Sequence, residues 1–160
     1  MLKKMMLGLG LVSLMAVASG ETINNAGTKR LQQEALALLS QTTVSEQASA
    51  NFLKRNRFDL EDVNWKQPAQ VIHGPYHMVD GDEEADNVPY VFAFNQGKTV
   101  AGVAGWLKPA FVKQLQALPT LKCSTAPKDR QLWVCAHTNT PASITQKFVR
   151  DLSEMMENAN

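Results

Sequence analysis

The sequence lacks the short motifs by which many enzyme classes are identified. Its 160 residues contain no GxSxG nucleophile elbow, no HExxH zinc motif and neither glycine-rich phosphate loop, GxGxxG or GxxxxGK followed by Ser or Thr. Each of these motifs places a nucleophile, a metal ligand or backbone N–H groups where the chemistry requires them. Their absence removes any motif-based assignment to serine hydrolases, zincins or nucleotide-binding enzymes, and no cofactor is expected.

The chain also lacks a strong excess of either charge. It has sixteen Lys and Arg residues against fifteen Asp and Glu, and fourteen against fifteen once Lys3 and Lys4 are removed with the N-terminus. The basic residues occur singly or in pairs such as Lys54-Arg55. A duplex-binding protein normally carries a basic face that displaces condensed counterions. We therefore expect no nucleic-acid partner.

Long hydrophobic runs are absent except at the N-terminus. The run over 5–18 is shorter than the roughly 20 residues that a membrane-spanning helix needs. Lys3 and Lys4 precede it, and small residues over 16–20 offer a cleavage site. Residues 1–20 are therefore predicted to be a cleavable signal peptide. The mature protein is expected to be periplasmic or secreted, without a membrane span.

Cysteine is scarce, and the two that occur form an informative pair. Cys123 and Cys135 lie in two apolar runs within 121–137, on either side of a polar turn expected at 128–130. An even pair in an exported chain predicts a disulfide, whereas a redox site would favour the closer CxxC spacing. A turn at 128–130 places the two cysteines opposite each other on a hairpin. The sequence therefore predicts one structural disulfide.

Hydrophobic periodicity predicts the organisation of the rest of the chain. The expected elements are one or two helices over 28–56, a kinked edge strand over 69–79, a hairpin over 88–106, a helix from Pro109 to Leu118, a hairpin over 121–137 and a last helix from 140. The order α-β-β-β-α-β-β-α predicts a single small α+β domain over 28–160, with a mainly antiparallel sheet covered by helices. Residues 21–27 are expected to form a flexible leader.

Three local patterns refine this picture. Gly74-Pro75 interrupts the strand over 69–79, because proline cannot donate a ladder hydrogen bond. Small residues over 101–105 leave space on the sheet that a helix could fill by close approach. The apolar triplet 132–134 is expected to seat the sheet against the last helix.

This order of elements is similar to that of the small α/β fold of secretion chaperones. Members of that fold bind other proteins. The resemblance therefore implies a role in protein binding.

Histidine is as scarce as cysteine, so any imidazole chemistry depends on three residues. His73 and His77 lie beside the most acidic run of the chain and are the candidate metal ligands, with nearby carboxylates available to complete a divalent site. The third, His137, lies two residues from Cys135, but a disulfide would remove that thiol as a nucleophile. The acidic run is a candidate binding loop with the following side chains: Asp80, Asp82, Glu83, Glu84 and Asp86.

Two functional hypotheses follow from these features. The first is an exported, non-catalytic protein-binding protein that acts by occupying a partner, as an inhibitor, an immunity protein or an accessory subunit of a secretion or pilus machine. Its acidic loop would favour a basic partner surface. The second is a metal-dependent hydrolase that uses His73, His77 and the carboxylates over 80–86. The oligomeric state is left open by the sequence.

Overall fold

The computed structural model describes residues 20–75 and 91–159. Its elements in chain order are α1 (Gly20–Leu39), α2 (Glu46–Arg55), β1 (Val71–His73), β2 (Phe92–Gln96), β3 (Thr99–Gly105), α3 (Pro109–Gln116), β4 (Leu121–Ala126), β5 (Asp129–His137) and α4 (Ala142–Ala159). The predicted α+β class and element order are confirmed, and the region 28–56 forms two helices. None of the helices in these two ranges is both long and apolar enough to cross a membrane.

The two N-terminal helices are separated by a short polar connection. Residues 21–27, which we expected to form a leader, belong to α1, whereas residues 1–19 of the expected signal peptide lie outside the described ranges. The next helix, α2, begins after Ser45, whose hydroxyl accepts a hydrogen bond from the backbone N–H of Ala48 at 3.0 Å. This side chain satisfies one of the N–H groups that the first helical turn leaves unpaired, so α2 starts there.

All five strands form one antiparallel sheet in the order β1-β2-β3-β5-β4. As expected, the strand before Gly74-Pro75 lies at an edge, and β1 ends at His73. The β2–β3 turn contains Gly97 at φ 63°, a left-handed conformation that glycine adopts without steric cost.

One of the small residues of β3, Gly102, receives a side chain from the neighbouring strand. A Cβ atom on Gly102 would lie 2.7 Å from the ring of Phe94 and would also meet the backbone oxygen of Cys135. The Phe94 ring stacks in turn on Phe148 of α4, with 4.2 Å between the ring centroids. The space at Gly102 is therefore filled by an aromatic pair that joins the sheet to α4. A helix approaches β3 closely at its start, where the Ser49 hydroxyl of α2 accepts a hydrogen bond from the N–H of Val100 at 2.9 Å.

The core is divided by the sheet into two layers. One face packs against α1, α2 and α3, and its buried residues include Leu39, Phe52, Val103 and Leu115. The other face packs against α4 through residues that include Phe92, Phe94, Val134, Phe148 and Leu152. Alternation along a strand sends neighbouring side chains to opposite faces. For this reason Leu132 and Val134 contact the α4 layer as predicted, but Trp133 packs on the opposite face.

The β4–β5 hairpin pairs its cysteines as expected, although its turn differs. Cys123 faces Cys135 in the strand register, but the two-residue turn lies at 127–128 and not at 128–130. The register shifts next to Ala126, which pairs with Asp129, so residues 130–132 of β5 form a bulge. An oxygen of Asp129 accepts a hydrogen bond from the backbone N–H of Gln131 at 2.9 Å and stabilises this bulge.

Candidate functional site

Most of the residues predicted to form a site lie outside the described ranges. These residues are His77, Asp80, Asp82, Glu83, Glu84 and Asp86. His73 lies at the end of β1, where its half-buried ring packs edge-on against Phe92 with centroids 5.4 Å apart. Within residues 20–75 and 91–159, no group of three or more His, Cys, Asp or Glu side chains is arranged to hold a metal ion. The metal and acidic-loop sites therefore remain predictions from the sequence.

The two cysteines form the predicted disulfide. Cys123 and Cys135 are bonded, with their Cα atoms 4.0 Å apart across β4 and β5. Cys135 is fully buried in the layer beneath α1, α2 and α3, and Cys123 packs at the edge of that layer. The bond leaves neither sulfur as a free thiol, so a Cys135–His137 nucleophile and base pair does not exist in this structure.

His137 is a buried polar residue that joins two loops. Its Nε2 lies 2.7 Å from the carbonyl oxygen of Gln41, and its Nδ1 accepts a hydrogen bond from the backbone N–H of Asn139 at 3.2 Å. Since Nδ1 is an acceptor, the proton of the neutral ring belongs on Nε2, which donates to Gln41. Both ring nitrogens make hydrogen bonds, so His137 links the α1–α2 connection to the end of β5. Neither nitrogen is therefore available as a base or a metal ligand.

A buried amide and an ion pair join α1 to the end of α2. Arg55 Nη2 donates to a Glu34 carboxylate oxygen at 2.8 Å, and Asn56 Nδ2 donates to the same carboxylate at 3.0 Å. The hydrogen bonds from Arg55 hold the pKa of Glu34 below its ordinary value, although burial acts in the opposite direction. This arrangement fixes the C-terminal end of α2 relative to α1.

The chain reverses sharply after α2 and forms one wall of a groove. Arg57 adopts a left-handed φ of 57°, and the N–H of Phe58 donates to the carbonyl of Leu53 at 3.0 Å, as in a Schellman motif. The Phe58 ring then packs on Phe52 with centroids 5.4 Å apart. This reversal sends the following segment back along α2.

We call the resulting depression the α2 groove. It encloses about 360 Å³ and is lined by Glu46, Gln47, Ala50, Leu53, Lys54, Leu60, Trp65 and Lys98. Leu60 and Trp65 are half-buried and pack against the core, yet each keeps an exposed surface in the groove. The groove therefore presents an indole and an aliphatic side chain to solvent side by side.

The charged rim of the α2 groove is predominantly basic. Lys54 and Lys98 are exposed at its sides, whereas Glu46 is the one acidic side chain that lines it among the described residues. The groove can therefore hold an apolar group with a carboxylate beside it.

The sequence indicated one wall of this groove, the helix within 28–56, but not the groove itself. The groove depends on the left-handed turn at Arg57 and on the β2–β3 turn, which brings Lys98 to the far side. An arginine at a left-handed position carries no sequence signal comparable to glycine.

Comparisons with known proteins give no relative from which a function could be transferred. No protein-family model, no curated protein and no solved structure matches the chain.

Proposed function

We propose that this protein is an exported, non-catalytic binding protein that acts by occupying a partner protein. An inhibitor, an immunity protein and an accessory subunit of a secretion or pilus machine all act in this way. The observation that carries the proposal is the α2 groove, where Trp65 and Leu60 are accessible between cationic side chains. Tryptophan is among the residues that contribute most to binding energy at protein interfaces.

The chemistry of the groove defines the part of the partner that would enter it. The apolar floor favours an aliphatic or aromatic anchor, because burying such a side chain against Trp65 removes apolar surface from water on both partners. Lys54 and Lys98 favour an Asp or Glu residue next to that anchor. The proposed partner therefore presents an apolar side chain within an acidic surface.

Export is supported by the disulfide. Disulfides form and persist in oxidising compartments and are rare where thiols are kept reduced. The sequence adds a predicted cleavage site over 16–20. Intact mass measurement of protein recovered from the bacterial envelope is expected to show a chain that lacks the first 18 or 20 residues. A full-length mass in that fraction would contradict the exported part of the proposal.

Charge reversal in the α2 groove tests the binding role. The variant Lys54→Glu/Lys98→Glu changes the rim without touching the core, because both side chains are exposed. The matched control Lys108→Glu/Lys113→Glu introduces the same charges at exposed positions before and on α3. Each protein is fused to an affinity tag, exported from its own signal sequence and captured from envelope extracts under identical conditions.

We expect a partner captured by the wild-type protein and the control to be absent with the groove variant. A photoreactive amino acid at Ala50, which lines the groove, should crosslink to that same partner. Equal capture by the groove variant and the control, or crosslinking that does not depend on Lys54 and Lys98, would place the interaction elsewhere. Failure to capture any partner with the wild-type protein would count against the proposal as a whole.

A further inference from the structure

The two edges of the sheet differ in how well they are protected. β1 has three residues, and its outward-facing carbonyl at His73 accepts a hydrogen bond from the N–H of Asp59 at 2.8 Å. At the other edge, β4 runs for six residues from Leu121 to Ala126. An exposed strand of this length offers a row of backbone groups on which another strand can form. The β4 edge is therefore the open side of the sheet among the described residues.

The register identifies which backbone groups of β4 point outward. The N–H of Thr138 donates to the carbonyl of Thr120 at 2.8 Å, so these two residues form a hydrogen-bonded pair just before β4. Because such pairs alternate along an antiparallel ladder, the β4 residues at 122 and 124 also exchange hydrogen bonds with β5. The residues between them, Cys123 and Thr125, belong to the alternate pairs, and the 4.0 Å Cα separation at the disulfide agrees with that assignment. Their N–H and C=O groups face away from β5. No partner for these groups occurs in the described part of the chain.

A groove runs directly beside this edge, and we call it the β4–α4 groove. It encloses about 640 Å³ and is lined on one side by Ser124, Thr125, Pro127 and Lys128, and on the other by Thr145, Gln146, Val149, Arg150, Ser153, Glu154 and Glu157. The residues from α4 form a stripe along one side of that helix, over about 18 Å at 1.5 Å per residue. Six residues of β4 span about 20 Å. The groove meets the open edge at Ser124 and Thr125, near the C-terminal end of β4, and its helical wall is similar in length to one six-residue strand.

A helical wall of this length beside an open edge suits the addition of one strand. A segment paired with β4 would place every second side chain on the face of the sheet that α4 covers, where the groove beside Ser124 and Thr125 can receive them. The groove walls have no net charge, since Lys128 and Arg150 are balanced by Glu154 and Glu157, and Lys128 is already paired with Glu157 at 3.2 Å. Uncharged side chains of the size of Val, Thr or Ile fit these conditions.

We propose that β4 binds an extended segment of a partner protein as an added strand, with uncharged β-branched side chains at alternate positions in the β4–α4 groove. A second copy of this chain fits less well, because its β4 would insert Lys122 and Ser124, a charge and a short polar side chain. The β4–α4 groove shares no residue with the α2 groove. The proposal therefore stands without the function proposed for the α2 groove.

A library of random heptapeptides displayed on phage is the probe for this surface. Selection on the oxidised mature protein is expected to enrich peptides with alternating β-branched residues. The variant Thr125→Pro removes an outward N–H that makes no bond to β5, and the control Thr125→Ala keeps that N–H. We expect a selected peptide, made synthetically, to bind Thr125→Pro on the order of tenfold more weakly than Thr125→Ala, because proline removes one hydrogen bond and blocks close pairing.

A second pair of variants keeps the test independent of the backbone change. Ser153→Arg fills the β4–α4 groove with a long side chain, whereas Ser143→Arg makes the same substitution on α4 at an exposed position outside the groove. Binding is expected to be lost with the first and retained with the second. Single N-methyl groups along the peptide should weaken binding at every second residue, which is the signature of a strand added to an edge.

Three results would overturn the inference. The first is a selection that enriches no peptide, or enriches peptides whose affinity is equal for both members of each variant pair. The second is N-methyl sensitivity without a two-residue period. The third is a stable dimer of the wild-type protein by sedimentation equilibrium that Thr125→Pro dissociates, because a second copy would then be the occupant of the edge.

Discussion

Breaking the Cys123–Cys135 disulfide should destabilise the domain by an amount that the structure allows us to estimate. The two cysteines are 12 residues apart in sequence. In the chain-entropy model, closing a loop of this size lowers the entropy of the unfolded chain enough to contribute about 3 kcal/mol to the free energy of unfolding at 25 °C. Small domains have total stabilities of roughly 5 to 15 kcal/mol, so this bond contributes a substantial part.

The position of the bond determines how the experiment must be made. Cys135 is fully buried, so replacing it by Ser would bury a hydroxyl group and add a cost unrelated to the crosslink. Reduction of the wild-type protein by an added dithiol breaks the bond and adds one hydrogen to each sulfur, and it leaves the rest of the chain chemically unchanged. The double variant Cys123→Ala/Cys135→Ala removes the bond together with two sulfur atoms, and should therefore be slightly less stable than the reduced protein.

Urea unfolding followed by tryptophan fluorescence measures these differences. We expect the oxidised protein to exceed the reduced protein by about 3 kcal/mol, which corresponds to roughly 10 °C in Tm for a domain of this size. The free energy of unfolding should also fall more steeply with urea concentration for the reduced protein, because its unfolded chain is less compact and exposes more surface. Coincident unfolding curves for the oxidised and reduced proteins would refute the argument that this loop constrains the unfolded state.

Three further perturbations test other parts of the packing. Gly102→Ala places a Cβ atom against the backbone of β5, which cannot move without breaking hydrogen bonds of the sheet. Urea titrations should show a free energy of unfolding that is lower by about 3 kcal/mol or more. A loss below about 1 kcal/mol would contradict the contact. His137→Ala leaves the carbonyl of Gln41 and the N–H of Asn139 without their partner and should lower the free energy of unfolding by about 2 to 4 kcal/mol. An unchanged Tm would refute the role of His137 in linking the two loops. The hydrogen bond from Trp106 lowers the pKa of Asp129, so its contribution to stability is present at neutral pH and is lost as pH falls below the ordinary range of a carboxyl group and through the lowered pKa. Asp129→Asn should flatten that acidic part of the stability profile, and an identical profile would exclude the contribution.

Local patterns predicted the fold well where a single residue type determines the backbone. Three such predictions are confirmed: proline begins α3, glycine lies in the β2–β3 turn, and the two cysteines form a disulfide. The expected turn at 128–130 was displaced because Asp129 accepts hydrogen bonds from the backbone after it and stabilises a bulge. A side chain that replaces a ladder partner changes the register locally, and hydrophobic periodicity does not detect such a change.

The binding surfaces were less predictable than the fold because they depend on contacts between distant segments. Trp65 packs against the core, but its accessible surface results from the reversal after α2. The open edge depends on strand order, and the sequence order β4 then β5 does not reveal that β5 lies inside and β4 outside. Neither property is encoded in the periodicity of one segment.

The placement of the two grooves predicts that they act independently. α2 and the segment after it cover one face of the sheet, whereas the β4–α4 groove is formed on the face covered by α4. Effects of substitutions at separated sites without shared partners usually add within about 0.5 kcal/mol. Lys54→Glu/Lys98→Glu should therefore leave the affinity of the strand peptide unchanged, and Ser153→Arg should leave capture at the α2 groove unchanged. A loss of peptide binding in the lysine variant, with its stability intact, would show that the sheet couples the two surfaces.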